Sequence, residues 1–593
     1  MRFRSSKIDG FQIFAVSGTN TVSFAIQANA AARKGLLGFA VERSDPKEKQ
    51  RYFMLGFKVF RSVIPHPDKN TQVSTFDHPI QSFVWDDFTG KDGRSYEYFF
   101  YPLRGEPKHL DHSARPISIK VKTEPLFTDL EHDVFFNRGV ASSQAYNRKF
   151  HNKRPDQLPA ADKQKALDWL SRELDEAILG FIRAANRDDT LLCCFYEFRY
   201  APVADAIKEA TDRGVNVRLI IDAKVNEYTD KKGKLHESFP REDNLTTIDK
   251  AKIKSSVIKR EAKPNDIQHN KFMVLLKGVQ QRPVEVWTGS TNISLGGIHG
   301  QTNVGHWIRN ADIAIKYQAY WELLSKDPGG RADDNAAQVR QKNAKFRTDV
   351  EALHDVPLEI KLLPKGITPV FSPRTGLKVL NLYVDMVDTA KRESSITLAF
   401  GVNKTFKEKL KDNTSHSQVV FLLLEQKDKP TKRNRDTFVV INASNNVYKA
   451  WGSYLREPIY QWTKETNAKI LKLNQHVSYV HSKFLLMDPL SRDPIVVTGS
   501  ANFSDPSTNA NDENMIIIRG NQRVADIYFT EFNRIFFHYY FRSVVEATAE
   551  HPNKPGEDDQ FLKEAPEEWL IKYRPGKFRQ KRVDLFANLE GFT

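Results

Sequence analysis

Two stretches of this chain carry residue types whose spacing suits work on a phosphate. The first reads His269-Asn270-Lys271-Phe272-Met273-Val274-Leu275-Leu276, followed by Gly289-Ser290-Thr291-Asn292. The second reads His481-Ser482-Lys483-Phe484-Leu485-Leu486-Met487-Asp488, followed by Gly499-Ser500-Ala501-Asn502. Side chains alternate along a strand, so a His and a Lys two apart share a face. An imidazole there can attack phosphorus or give a proton, while a fixed ammonium holds negative charge. The Gly-Ser-x-Asn that ends the next short strand adds a hydroxyl and an amide. The serines either reach the substrate or close the strand ends as turn residues.

The anchors repeat in order. The histidines lie 212 residues apart, the glycines 210, and a third pair, Ala311-Asp312-Ile313 and Ala525-Asp526-Ile527, 214. One order at nearly one offset means an internal duplication. The residues resemble the phospholipase D superfamily, whose signature is His-x-Lys, four residues, Asp, then Gly-Ser-x-x-Asn or a close relative. The second copy matches at His481, Lys483, Asp488, Gly499, Ser500 and Asn502. The first matches at His269, Lys271, Gly289, Ser290 and Asn292 and departs at Leu276, where the Asp belongs. The resemblance spans about residues 125 to 541.

That resemblance implies an α/β fold made of two duplicated halves related by a pseudo-twofold axis, with one site between them. One His becomes a covalent phosphohistidine. The other protonates the leaving oxygen and then activates water. Lys271, Lys483, Asn292 and Asn502 bind the non-bridging oxygens, so no metal and no cofactor are expected. Ser290, Ser500, Asn303 and Asp488 are further substrate-binding candidates. The superfamily's later acidic residue falls at Glu513, eleven after Asn502, whereas eleven after Asn292 stands Asn303, with Gln301 close by. A similar asymmetry marks the tyrosyl-DNA phosphodiesterase branch, in which the first-half His attacks. His269 is therefore the expected nucleophile and His481 the acid/base, although a carboxylate partner in the second half argues the reverse.

Around these motifs the chain divides into four segments. Residues 1–120 read as a small β-sandwich, from alternating runs at Phe11–Val16, Thr21–Ile26 and Ser95–Pro102. Residues 105–125 look like a connection. Residues 121–330 form the first half, with one helix expected over Lys165–Ala185, a strand at Leu191–Tyr196, a helix from Pro202 and a strand at Val217–Asp222, a βαβ unit with a parallel sheet. Lys326–Arg331 breaks structure, and residues 331–545 repeat the theme, with strands at Thr397–Phe400 and Val419–Leu424. Residues 546–593 are a basic tail in which Tyr573 and Phe578 interleave with Lys572, Arg574, Lys577 and Arg579.

Of 593 residues, 89 are Lys or Arg and 74 Asp or Glu, a net charge of +15 that favours a polyanionic partner, nucleic acid or an acidic lipid surface. Two polar insertions precede the His strands. Residues 225–265 carry Lys231, Lys232, Lys234, Lys250, Lys252, Lys254, Lys259 and Arg260, and residues 426–436 carry Lys427, Lys429, Lys432, Arg433 and Arg435. Loops at the C-terminal edge of such a sheet line its ligand crevice, so these either track a phosphate backbone or are solvated loops. The adjacent Cys193 and Cys194 offer no disulfide framework, the start of the sequence lacks an apolar signal-like run, and no stretch is apolar enough to span a membrane. A cytoplasmic location is the expectation. His299, His306 and His476 lack ligand spacing and read as structural. Three functions fit: a metal-independent nuclease or phosphodiesterase, a phospholipase D acting on head-group diesters, and a nucleic-acid-binding module on a worn enzyme.

Overall fold

Runs rich in Val, Ile, Phe and Tyr build the strands, and their burial pattern decides which layers they join. The computed structural model describes residues 1–67, 71–139, 143–151, 153–230, 233–413, 418–430, 437–452, 479–549, 561–587, 589 and 591–592. The N-terminal part is two antiparallel sheets. One holds Arg2–Arg4, Phe11–Ser17, Val22–Ala28 and Val84–Asp87; the other is built on the long strand Ser95–Glu106. They face each other through Phe24, whose ring lies 4.7 Å from Tyr98 and 5.3 Å from Phe100. The stretch 105–125 is more than a connection. Ile117–Lys122 pairs with Ser95–Phe100, the first half of that long strand, and its alternating burial puts Ile117, Ile119 and Val121 in the sandwich core.

Each half is a seven-stranded sheet. In the first, the strands in chain order are β1 (His132–Phe136), β2 (Thr190–Phe195), β3 (Asn216–Asp222), β4 (Val257–Arg260), β5 (Lys271–Lys277), β6 (Arg282–Gly289) and β7 (Val304–Arg309). In the second they are β8 (Gly366–Ser372), β9 (Glu393–Leu398), β10 (Val419–Leu424), β11 (Val447–Trp451), β12 (Phe484–Met487), β13 (Ile495–Gly499) and β14 (Glu513–Arg519). Their spatial orders are β1-β7-β6-β5-β2-β3-β4 and β8-β14-β13-β12-β9-β10-β11, the same path twice. The duplication in the sequence is thus a duplication of topology. Each sheet is mixed. Only β2-β3-β4 and β9-β10-β11 run parallel; the other neighbours are antiparallel, as the short connections from β5 to β6 and from β12 to β13 require of those pairs.

Strand β2 is buried throughout and apolar from Leu191 on because both of its faces are covered. Leu191, Cys193 and Phe195 pack under helices α1 (Leu174–Arg183) and α2 (Ala201–Asp212), while Leu192 and Cys194 face a core shared with the other half. The helix expected over Lys165–Ala185 is two helices. It breaks at Arg172 and Glu173, both left-handed, and the Arg172 guanidinium turns inward to Phe136 O and to the Glu531 carboxylate at 2.7 Å.

The third pair of sequence anchors opens matching helices, α3 (Ala311–Ser325) and α4 (Gln522–Ala549). Helix α4 braces the assembly. Asp526 pairs with Arg2 of the sandwich at 2.9 Å, and Glu531 pairs with Arg172 and Arg534 and accepts from Thr21. Burial alone would raise the Glu531 carboxyl; the two guanidiniums outweigh it and hold it at about 2. No helix among the described residues is long and apolar enough to cross a membrane.

The described end of the chain folds back. Trp569 Nε1 donates to Leu36 O at 2.9 Å, Tyr573 is buried beside Phe83, and Phe578 stacks on Tyr448 at 3.9 Å. The aromatics interleaved with the basic residues are packing groups here, not a presented surface.

Candidate active site

The two His strands meet where the halves are sewn together. His269 N donates to Asp512 O at 2.9 Å and Asp512 N to Ile267 O at 3.0 Å. Reciprocally, Thr302 N donates to Tyr479 O at 2.8 Å and His481 N to Thr302 O at 3.2 Å. Both rings line one cleft of about 440 Å³, together with Asn292, Asn502 and Gln301.

The side-chain partners cross between halves. His269 Nδ1 lies 2.9 and 3.1 Å from the two carboxylate oxygens of Glu513 in the second half. His481 Nδ1 lies 2.9 Å from the Asn303 side-chain oxygen in the first. Each partner is anchored by the serine of its own half: Ser500 Oγ donates to Glu513 at 2.7 Å and Ser290 Oγ to Asn303 at 2.8 Å. Ser290 and Ser500 therefore orient the groups behind the rings rather than lining the cleft. Read within one half, the asymmetry places the carboxylate beside His481; the crossing places it on His269.

Lys271 and Lys483 are fully buried and donate to the carbonyls of His269 and His481. Burial pushes the Lys271 ammonium down to about 7, against the pull of Glu513 and Glu197. Burial, and then repulsion from Lys271, takes Lys483 well below the usual lysine range. Burial also lowers His269 to about 4 despite Glu513, and takes His481 well below its ordinary value, so both rings are neutral near pH 7. The Glu513 carboxyl would rise through burial, but His269, Lys271 and Ser500 keep it low.

Asp488 is not in the cleft. It sits at the far end of β12, where its carboxylate accepts from the backbone N–H of Lys391, Arg392 and Glu393 at 2.8, 2.8 and 3.1 Å. At the matching place in the first half Leu276 is buried, and a carboxylate on the opposite strand end does the tying. Asp189 accepts from Gly278 N at 2.8 Å and Asn186 N at 2.7 Å. The departure at Leu276 thus exchanges one strand-end tie for another and leaves the cleft intact. Asp488→Ala should cost about 1–3 kcal/mol, the loss of charged hydrogen bonds to backbone N–H groups, seen as a lower Tm, while the folded protein keeps its activity.

Several cleft residues were not visible in the motifs. Tyr196, Glu197 and Arg199 follow β2, at the sheet edge where crevices form. The Tyr196 ring lies 5.0 Å from the His269 ring. Glu197 accepts from Asn292 Nδ2 at 2.7 Å and from Arg199 Nε at 2.9 Å. The first polar insertion gives the cleft Asn226, Tyr228, Glu237 and Phe239, and none of its described lysines. Lys231, Lys232, Lys432, Arg433, Arg435 and His476 lie outside the described residues. His299 and His306 are buried against Tyr200 and His132 and do not line the cleft.

A family profile described as "Cardiolipin synthase, PLD-like domain" matches residues 178–324 and 383–536. Similar solved structures include phosphatidylserine synthase of Haemophilus influenzae, at 14% identity and a TM-score of 0.43, covering 71% of this chain and 94% of that one. The phospholipase D family member Nuc of Salmonella typhimurium has 15% identity and a TM-score of 0.21, covering 29% and 95%. Yeast tyrosyl-DNA phosphodiesterase has 12% identity and a TM-score of 0.28, covering 57% and 85%. No curated protein matches the chain. The profile falls once on each sheet and takes in both His-x-Lys strands, and the chain belongs to the phospholipase D-like superfamily of phosphodiesterases.

Proposed function

We propose that this protein is a metal-independent phosphodiesterase that works through a phosphohistidine on His269, and that nucleic acid is its substrate. The observation that carries the reading is the crossed pairing: two neutral imidazoles in one cleft, each with Nδ1 held from the opposite half. With Nδ1 engaged, Nε2 is the reactive nitrogen. His269 Nε2 bonds to phosphorus as the bond to the leaving oxygen breaks, and His481, in the minor imidazolium form that carries a second proton on Nε2, gives that oxygen its proton and becomes neutral. His481 then takes a proton from water, the hydroxide oxygen bonds to phosphorus, and the P–N bond returns its electrons to His269. The phosphorylated ring still carries a proton on Nδ1 and is cationic, so the carboxylate of Glu513 stabilises it where an amide would not. This favours His269 over His481 as nucleophile. Lys271, Lys483, Asn292 and Asn502 steady the non-bridging oxygens.

The net charge of +15 supports a nucleic-acid substrate. A second reading, phospholipid head-group chemistry, is favoured by the apolar rim, where Tyr228 and Phe400 are 60% and 66% exposed. Labelled DNA, RNA and phosphatidylcholine, each incubated in EDTA, separate the two. Cleavage of nucleic acid alone is expected, and cleavage of lipid alone would overturn the choice. In the same assays kcat/KM should be highest on the acid side of neutral. His269 is deprotonated above about 4, while the acid form of His481 grows scarcer as pH rises and Lys271 discharges near 7. A rate that climbs through pH 8 would contradict these assignments.

A further inference from the structure

The pseudo-twofold is broken chemically at one pair of cleft positions. Phe195 and Leu398 end β2 and β9 and hold equivalent places, opposite Ile221 and Leu424; Cys193 and Ile396 likewise face Met273 and Leu485. Two residues beyond those ends, both on the cleft, stand Glu197 in the first half and Phe400 in the second. Since the same strand end carries a phenyl in one half, the fold itself does not require the carboxylate.

A carboxylate beside a phosphate site needs a reason. Glu197 is only 6% exposed, and it accepts from the amide nitrogen of Asn292. It also neutralises Arg199, a cation on the cleft that would otherwise meet the substrate directly. Both imidazoles are neutral, Lys271 and Lys483 stand against Glu513, and Arg199 cancels Glu197. Since burial draws both ammonium groups down, the site carries at most one net positive charge, and exposed Glu237 adds negative charge at its mouth. A phosphodiester carries one negative charge and matches this. A phosphomonoester carries close to two and leaves a buried excess, which is costly where water is scarce.

We propose that Glu197 is a specificity-determining residue that tunes the cleft to monoanionic phosphodiesters and turns away dianionic tetrahedral oxyanions, the monoester product of the proposed reaction among them. The idea rests on the phosphodiesterase reading for its biological sense, but its test does not depend on turnover. Sulfate, a dianion at working pH, and dimethyl phosphate, a monoanion, are titrated calorimetrically into the wild type and Glu197→Gln. The variant should bind sulfate about tenfold more tightly relative to dimethyl phosphate, the scale of one charge–charge interaction in a partly screened cleft. Arg199→Gln should shift the ratio the other way. Melting temperature checks that each variant is folded. If Glu197 acts only by holding Asn292, both affinities move together and the ratio stays put, which overturns the proposal. If the ratio shifts while the wild type cleaves no diester, Glu197 selects charge and the phosphodiesterase reading is what fails.

Discussion

His269→Gln should lower kcat/KM for a phosphodiester by roughly 10⁴–10⁶, the range seen when a covalent nucleophile is removed. Gln keeps a donor for the buried Glu513 carboxylate, so the loss reports chemistry rather than collapse. Leaving Glu513 with no partner would bury an uncompensated charge and confound the result. Glu513→Gln should be milder, about 10²–10⁴, because the attacking nitrogen survives while the tautomer and the cationic intermediate lose their support. The check is initial rates on a p-nitrophenyl diester beside a melting curve. If His269→Gln stays within tenfold of wild type while folded, the attacking group lies elsewhere. If His481→Gln proves the more damaging for bond formation to phosphorus, the two rings exchange roles.

His481→Ala should separate the two chemical steps. A p-nitrophenolate leaves without help from an acid, so attack by His269 continues, whereas water no longer has a base. Steady-state turnover should fall by about 10²–10⁴, preceded by a burst of nitrophenol close to one equivalent per chain. The stalled protein should carry the retained phosphoryl group as a mass adduct that maps to the peptide containing His269. Asn303→Ala should show a weaker form of the same behaviour, because it frees the His481 ring without removing it. An adduct on His481 in the His269 variant would reverse the assignment.

The sequence made the duplication and the cleft histidines legible because they are local: a His two before a Lys on a strand, a Gly-Ser-x-Asn after it, and a constant offset between copies. The alternating strands of the sandwich were legible for the same reason. What it hid were relations between distant segments. Nothing in the spacing of Asn303 and Glu513 tells that each serves the ring of the other half; that follows from the stitch between Asp512 and His269. Asp488 belongs to the motif by position, yet three backbone N–H groups hold its carboxylate. The break at Arg172 is likewise tertiary. Helical periodicity runs straight through it, but a buried carboxylate on α4 pulls the guanidinium inward. Glu197 escaped notice because it belongs to no repeated pattern: its counterpart is Phe400.

Because the carboxylate that supports one ring and the amide that supports the other sit on opposite sides of the repeat, the ancestral copies have lost their independence. A chain cut between them would yield two pieces that each hold a histidine, a lysine and an asparagine, and neither would own the neighbour its imidazole relies on. Mixing separately produced pieces would restore turnover only by rejoining them. A change at Glu513 is felt by a histidine encoded 244 codons upstream.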